Sequence, residues 1–245
     1  MSNDPTLNEL QKRISELELE KKNLLKLVSH DVKSPFNKLF ALSNLLRLTA
    51  DNLGEEQQEY LTRMDWVIKE GLTVIRNLMD LRAIEENKIE LSLEQLHFDS
   101  IISDTLKNYS KQTTAKKIDF DQNIGKVTVW SDKRLLDRVI DHLISNAIKF
   151  SPINSKVSIN LTQQSKSISF EISSESGPIP SEEESRMFLK NASISIRPTH
   201  GESALGNGLY IAQIYANKLG GIIEVKQEDK MVKFVFTLPI KESAI

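Results

Sequence analysis

Over the N-terminal part of the chain, apolar residues recur at helical spacing. They fall at Leu7, Leu10, Ile14, Leu17, Leu24 and Val28, the three-four alternation of a coiled-coil seam, broken at Lys21. A stripe this narrow cannot be buried by one helix, so the pattern predicts a homodimer. The apolar positions resume at Val32, Phe36, Leu39, Ser43 and Leu46 after a step resembling a four-residue stutter. Pro35 removes a helical hydrogen bond in this zone and predicts a bend. Two readings stay open there: a deformable zone, or irregular bundle packing with no mechanical role. Thr49 to Gln57 contains Asp51, Asn52 and Gly54 and predicts a loop. A second helix follows from about Glu55 to Ile84, with Leu61, Met64, Ile68, Leu72, Ile75 and Met79 at helical spacing. Two long amphipathic helices with a short connection make an antiparallel hairpin, and two hairpins make a four-helix bundle.

The period changes near Glu85-Glu86-Asn87-Lys88. Ile89, Leu91 and Leu93 alternate as on a short strand. Asp99 is positioned to cap a helix through about Tyr109. Strand-like runs follow at Lys117–Asp121 and Lys126–Trp130. Asp132 then caps a strongly amphipathic helix, 133–149, with Leu136, Val139, Leu143 and Ala147 on its core face. Val157, Ile159 and Leu161 alternate on one strand, and Ile168, Phe170 and Ile172 on the next. A polar segment runs from about Gly177 to Gly206. A helix over 208–219 ends at Gly220-Gly221, and strands over 222–226 and 231–238 close the chain. These elements predict an α+β fold: residues 1–88 as coiled coil and helical hairpin, residues 89–245 as an α/β sandwich with a mixed sheet.

Composition narrows the classes. The chain has 245 residues, 39% hydrophobic and 27% charged, with a net charge of −2. That balance gives no general reason to bind nucleic acid or an anionic membrane. The absence of cysteine excludes disulfides and thiolate metal sites, and four scattered histidines argue against zinc. No apolar run approaches the ~18 residues of a membrane span. The N-terminal residues lack the basic start and apolar core of a signal peptide. The expectation is a cytoplasmic protein, or the cytoplasmic fragment of a larger one.

The candidate chemistry begins at Leu27-Val28-Ser29-His30-Asp31-Val32-Lys33-Ser34-Pro35-Phe36. If Val28 is an a position, His30 is a c position, facing away from the seam. A neutral imidazole is a nucleophile, and its unperturbed pKa near ~6.5 keeps it neutral at cytoplasmic pH. An adjacent carboxylate, Asp31, is suited to take the proton from one ring nitrogen and leave the other to attack. Ser34 lies one turn on, sharing that face. This stretch resembles the phosphoacceptor box of two-component histidine kinases, filled at every position. The resemblance implies that His30 accepts a phosphoryl group, that Asp31 assists, and that Ser34 helps aim a water when the partner is dephosphorylated.

Two further segments carry the same resemblance. Asp141-His142-Leu143-Ile144-Ser145-Asn146-Ala147-Ile148-Lys149-Phe150 is similar to the family's N-box. Its spacing puts His142, Asn146 and Lys149 on one stripe, away from the apolar face. The resemblance implies a magnesium ligand at Asn146 and a phosphate contact at Lys149. Ser195-Ile196-Arg197-Pro198-Thr199-His200-Gly201-Glu202-Ser203-Ala204-Leu205-Gly206-Asn207-Gly208-Leu209 looks like the end of the family's ATP lid. Gly206 and Gly208 match its last two glycines, before a helix whose N-terminus favours phosphate, and Leu209 follows them. Phe188 stands for the lid's anchoring phenylalanine.

Between them, Phe170 to Pro180 lies where the family places the strand and glycine box that hold adenine. A gapless match puts Ser174 at the adenine-binding aspartate. A one-residue shift offers Glu175 and Gly177 instead. The resemblance covers nearly the whole chain and implies a homodimeric histidine kinase core using ATP and Mg2+. His30 would pass its phosphoryl group to a response-regulator receiver domain. The alternative is a phosphotransfer or phosphatase module with a weakly ATP-binding C-terminal domain.

Overall fold

The computed structural model describes residues 7–27, 32–50, 52–192, 195–199 and 206–240, with backbone alone at positions 18, 21, 22 and 24–27. The chain divides into two compact units, Met1–Lys88 and Ile89–Ile245. Among the described residues, no helix is long and apolar enough to cross a membrane.

The first unit is helical: α1 (Leu7–Leu27), α2 (Lys33–Thr49) and α3 (Glu55–Glu85). Leu7, Leu10, Ile14 and Leu17 of α1 are all exposed in the single chain. Pro35 lies near the start of α2, and the carbonyl it would pair with in a continuous helix, that of Asp31, lies outside the described residues. The bend expected just after His30 concerns residues 28–31, which lie outside the described residues. α2 and α3 run antiparallel. Ser43 faces Asp65, Phe36 meets Gly71, and Lys69 Nζ lies 5.9 Å from the centre of the Phe40 ring. Leu61, Ile68 and Ile75 supply the buried apolar stripe of α3. A polar core sits among them. Asp65 is buried and accepts from Ser43 Oγ at 2.6 Å and from Arg47 NH2 at 2.9 Å.

The second unit begins with β1 (Leu93–His97), α4 (Phe98–Asn108), α5 (Ser110–Lys116), β2 (Asp119–Ile124) and β3 (Thr128–Asp132). It continues with α6 (Lys133–Phe150), β4 (Lys156–Gln163), β5 (Ser167–Glu175), α7 (Ser181–Glu184), α8 (Gly208–Leu219), β6 (Ile222–Glu228) and β7 (Met231–Pro239). A five-stranded sheet has the order β2-β4-β5-β7-β6, parallel at β2–β4 and antiparallel elsewhere. β1 and β3 form a separate antiparallel ribbon. The fold is α+β, with α4, α6 and α8 layered on the mixed sheet.

Strand alternation builds the core. Val157, Ile159 and Leu161 of β4 and Ile168, Phe170 and Ile172 of β5 are all buried, as the two-residue period requires. Leu136, Val139, Leu143 and Ala147 of α6 meet that face, and Phe98 stacks on Phe170 with ring centres 6.3 Å apart. The sheet's edges differ in character. β2 exposes Asp119, Asp121, Gln122 and Asn123, and β6 exposes Glu224, Lys226 and Glu228.

Several boundaries differ from the sequence expectation. β1 starts at Leu93 rather than Ile89, and β2 runs 119–124 rather than 117–121. Asp99 does not cap α4. It lies inside the first turn, and its carboxylate accepts from Val127 N at 3.3 Å, tying the helix to the start of β3.

Candidate nucleotide site

The site is built on α6, which is fixed at both ends. Asp132 caps its N-terminus by accepting from Leu135 N at 3.2 Å. Burial raises the Asp132 pKa, but hydrogen bonds from Arg134, Ser92 N and Leu135 N outweigh burial and hold the carboxyl below its ordinary range. At the other end, fully buried Lys116 donates from Nζ to the carbonyls of Ile148 at 2.7 Å and Lys149 at 3.0 Å. A cation there satisfies carbonyls that a helix C-terminus leaves without partners and suits its dipole. On the flank, the Tyr109 hydroxyl donates to Asp141 Oδ1 at 2.8 Å, and Arg138 donates to Oδ2 at 3.2 Å. Burial, followed by the Asp141 charge, pushes the Tyr109 phenol pKa up, so it stays a neutral donor.

α6, β5 and α8 converge on one small cavity of about 30 Å³. Asn146 and Phe150 reach it from α6, Ser174 from β5, and Leu209 from α8. Ser176, Ile179, Val232 and Phe234 complete its floor, while Met187 and Ile196 close it from the α7–α8 connection. Three sequence-predicted residues, Asn146, Ser174 and Leu209, thus meet. Ser174 continues the buried row of Ile168, Phe170 and Ile172, paired between Val157 and Val232. Glu175 and Gly177 are exposed.

The remaining predicted residues lie around the cavity or apart from it. Gly208 opens α8, and a Cβ there would sit 3.1 Å from His142 Nδ1. His142 is therefore buried against α8 rather than lying on a solvated stripe with Asn146 and Lys149. The small residue at 208 lets the two helices approach. Gly206 has φ +72°, and a Cβ there would lie 2.4 Å from the Ala192 carbonyl oxygen, so the position demands glycine. Asn207 does not cap α8; its Oδ1 accepts from Asn191 N at 2.8 Å instead. The first-turn amides of α8 are thus not claimed by that side chain, as anion binding at a helix N-terminus requires. Lys149 is half-buried one turn past Asn146, and its carbonyl accepts from Thr199 N at 3.1 Å. Phe188 is half-buried, but its neighbour Met187 is the residue that lines the cavity.

In the first unit, half-buried Ser34 lines a separate cleft of about 810 Å³ with Lys33, Lys38, Met79, Arg82 and Lys88. His30 and Asp31 lie outside the described residues. Sequence reasoning missed Lys116 and Tyr109, which carry no motif. It also missed Met187 and Ile196, whose inward orientation depends on the fold of an irregular segment.

Residues 131–242 match the model of the histidine kinase-, DNA gyrase B-, and HSP90-like ATPase family. The heme sensor protein HssS of Staphylococcus aureus (strain MSSA476) is 22% identical over 233 residues, 95% of this chain and 50% of that protein. The sensor histidine kinase YcbM of Bacillus subtilis (strain 168) is 21% identical over 235 residues, covering 95% of this chain and 75% of YcbM. The chain thus spans half the length of HssS. Full-length ShkA, solved in complex with AMPPNP, shares the fold with a TM-score of 0.66 at 20% identity, over 91% of this chain and 47% of ShkA. The chain is therefore a homologue of the two-component sensor histidine kinases, and its residues 131–242 belong to the histidine kinase-, DNA gyrase B- and HSP90-like ATPases.

Proposed function

We propose that the chain is the catalytic core of a two-component histidine kinase. The observation that carries this is the convergence of Asn146, Ser174 and Leu209 on one cavity of an ATPase-family domain. ATP would place its base in that cavity and its phosphates near the N-terminus of α8. Magnesium fits the Asn146 amide oxygen together with phosphate oxygens and waters, the usual partnership of that ion. Among the described residues no cluster of three or more His, Asp or Glu side chains competes for it. Bound there, magnesium would supply charge neutralisation on the phosphates. Lys149, one turn past Asn146, is the candidate phosphate contact.

One nitrogen of the neutral His30 imidazole attacks the γ-phosphorus, ADP leaves, and Asp31 takes the proton from the other nitrogen. The phosphoryl group then passes to an aspartate of a response-regulator receiver domain. Ser34 positions a water for the reverse duty, dephosphorylation of that partner. The exposed seam residues Leu7, Leu10, Ile14 and Leu17 support a homodimer, since burying them requires a second copy. A cytoplasmic location follows from ATP as the donor.

A second reading, a phosphotransfer or phosphatase module that binds ATP weakly, is favoured by the small cavity and by the absence of a carboxylate among the described residues that line it. Typical ligand pockets are about 300–1,000 Å³, so Met187 and Ile196 must move aside for a base. Incubation with γ-labelled Mg·ATP separates the two. The kinase acquires acid-labile label that His30→Gln and Asn146→Ala both lose. Absence of label on the unaltered chain, with acceptance of phosphoryl from a phosphorylated receiver domain, establishes the second reading.

A further inference from the structure

The cavity's polar groups have a property that bears on which nucleotide it accepts. β5 lies between β4 and β7, so the backbone at Ser174 faces neighbouring strands rather than the cavity. Ser176 N donates to the Lys230 carbonyl at 2.9 Å, and Ile179 N donates to Gln227 Oε1 at 2.9 Å. These backbone donors are committed elsewhere and do not fix a base edge. Among the described residues, no charged side chain lines the cavity. What remains for a base edge are the hydroxyls of Ser174 and Ser176.

Each of these groups both donates and accepts. A serine hydroxyl rotates to suit its partner. Adenine presents a 6-amino donor beside a ring-nitrogen acceptor. Guanine presents a 6-oxo acceptor beside a ring N–H donor. A fixed acceptor would satisfy the first and repel the second, and discrimination is large only when the wrong base leaves a buried polar group unpaired. Here neither base does so. Guanine's 2-amino group adds a donor, which a hydroxyl accepts as readily as it donates.

We infer that this cavity does not distinguish 6-amino from 6-oxo purines, so the chain takes guanosine triphosphate about as readily as adenosine triphosphate. The inference rests on the proposed placement of the base between Ser174 and Leu209. Ser174 is the specificity-determining position.

Calorimetric titration of the full chain with the magnesium complexes of the β,γ-imido analogues of ATP and GTP tests it. The expected dissociation constants agree within about threefold. An ATP analogue that binds while the GTP analogue is thirtyfold weaker or more overturns the inference and leaves the proposed function standing. Binding of neither overturns the kinase reading and the inference with it. In Ser174→Asp, checked for folding by its melting transition, the ionised carboxylate only accepts. The affinity ratio should then move tenfold or more toward the ATP analogue. An unchanged ratio in that folded variant would show that Ser174 does not face the 6-position and would overturn the assignment.

Discussion

Phe36 occupies the space that a side chain at Gly71 would need: a Cβ there would lie 2.3 Å from Phe36 Cε1. The ring comes from the last residue of the stretch that resembles a phosphoacceptor box, and the glycine from the middle of α3. Gly71→Val should push Phe36 off the helix and destabilise the hairpin by about 1–3 kcal/mol, the usual cost of overpacking. Faster amide hydrogen exchange confined to α2 and α3 is the expected signature. Unchanged exchange would mean the ring relocates at no cost.

Asp65 holds two partners on α2 at once. Asp65→Ala leaves the Ser43 hydroxyl and the Arg47 guanidinium without their acceptor. Arg47 keeps 31% side-chain exposure, so water recovers part of the loss. The expected cost is about 1–3 kcal/mol. Asp65→Asn keeps an acceptor for Ser43 and should fall between. Thermal melts followed by circular dichroism should rank native, Asn, then Ala.

Two glycines near the site should behave oppositely. Gly206→Ala meets both a positive φ and the Ala192 carbonyl, whereas a Cβ at Gly177 meets nothing within 4 Å. The strain at 206, about 1–3 kcal/mol, can be relieved only by shifting the approach to α8. Nucleotide affinity should fall about tenfold or more in Gly206→Ala. It should stay within about twofold in Gly177→Ala, where no such strain arises. Equal losses in both would detach the α8 N-terminus from nucleotide binding.

Glu86, at the C-terminal end of α3, gives a pH signature. A hydrogen bond from Lys88, then one from Arg82, lowers its pKa from 4.5 to about 2. A carboxyl depressed on folding stabilises the folded state above its unfolded pKa, and that contribution is lost as pH falls through the folded value. The end of α3 should therefore loosen between about pH 4.5 and pH 2. An NMR titration of the Glu86 carboxyl should give a midpoint near the lower value, and a midpoint near 4.5 would show that the Lys88 and Arg82 contacts do not persist in solution.

What could be read from the sequence follows from where the information resides. α6 was legible because period and cap agree: its apolar face repeats at helical spacing, and Asp132 stands just before its first turn. Ser174 was legible because strand period fixes which side of β5 it faces, and the gapless alignment rests on that alternation. Lys116 was not legible. Nothing in a polar run of lysines and threonines says that one ammonium will be fully buried on the carbonyls of a helix some thirty residues later. His142 misled for a related reason. Its position on α6 is polar by helical period alone, but α8 covers that side, and the permission for it lies in Gly208, far along the chain. Asp99 was assigned a cap by local rule, while a long-range contact to Val127 decided its role.

The unpaired margins of the five-stranded sheet bear on the protein's fate in a concentrated cell. A sheet ends in rows of peptide groups that any passing extended segment could join, the first step toward fibres. On β2 the chain meets this hazard with Asp119 and Asp121, and on β6 with Glu224, Lys226 and Glu228. A strand arriving at either margin would have to strip water from those charges or set like against like. Charges far from the candidate nucleotide site thus guard both margins of the sheet against pairing with a second copy of this chain.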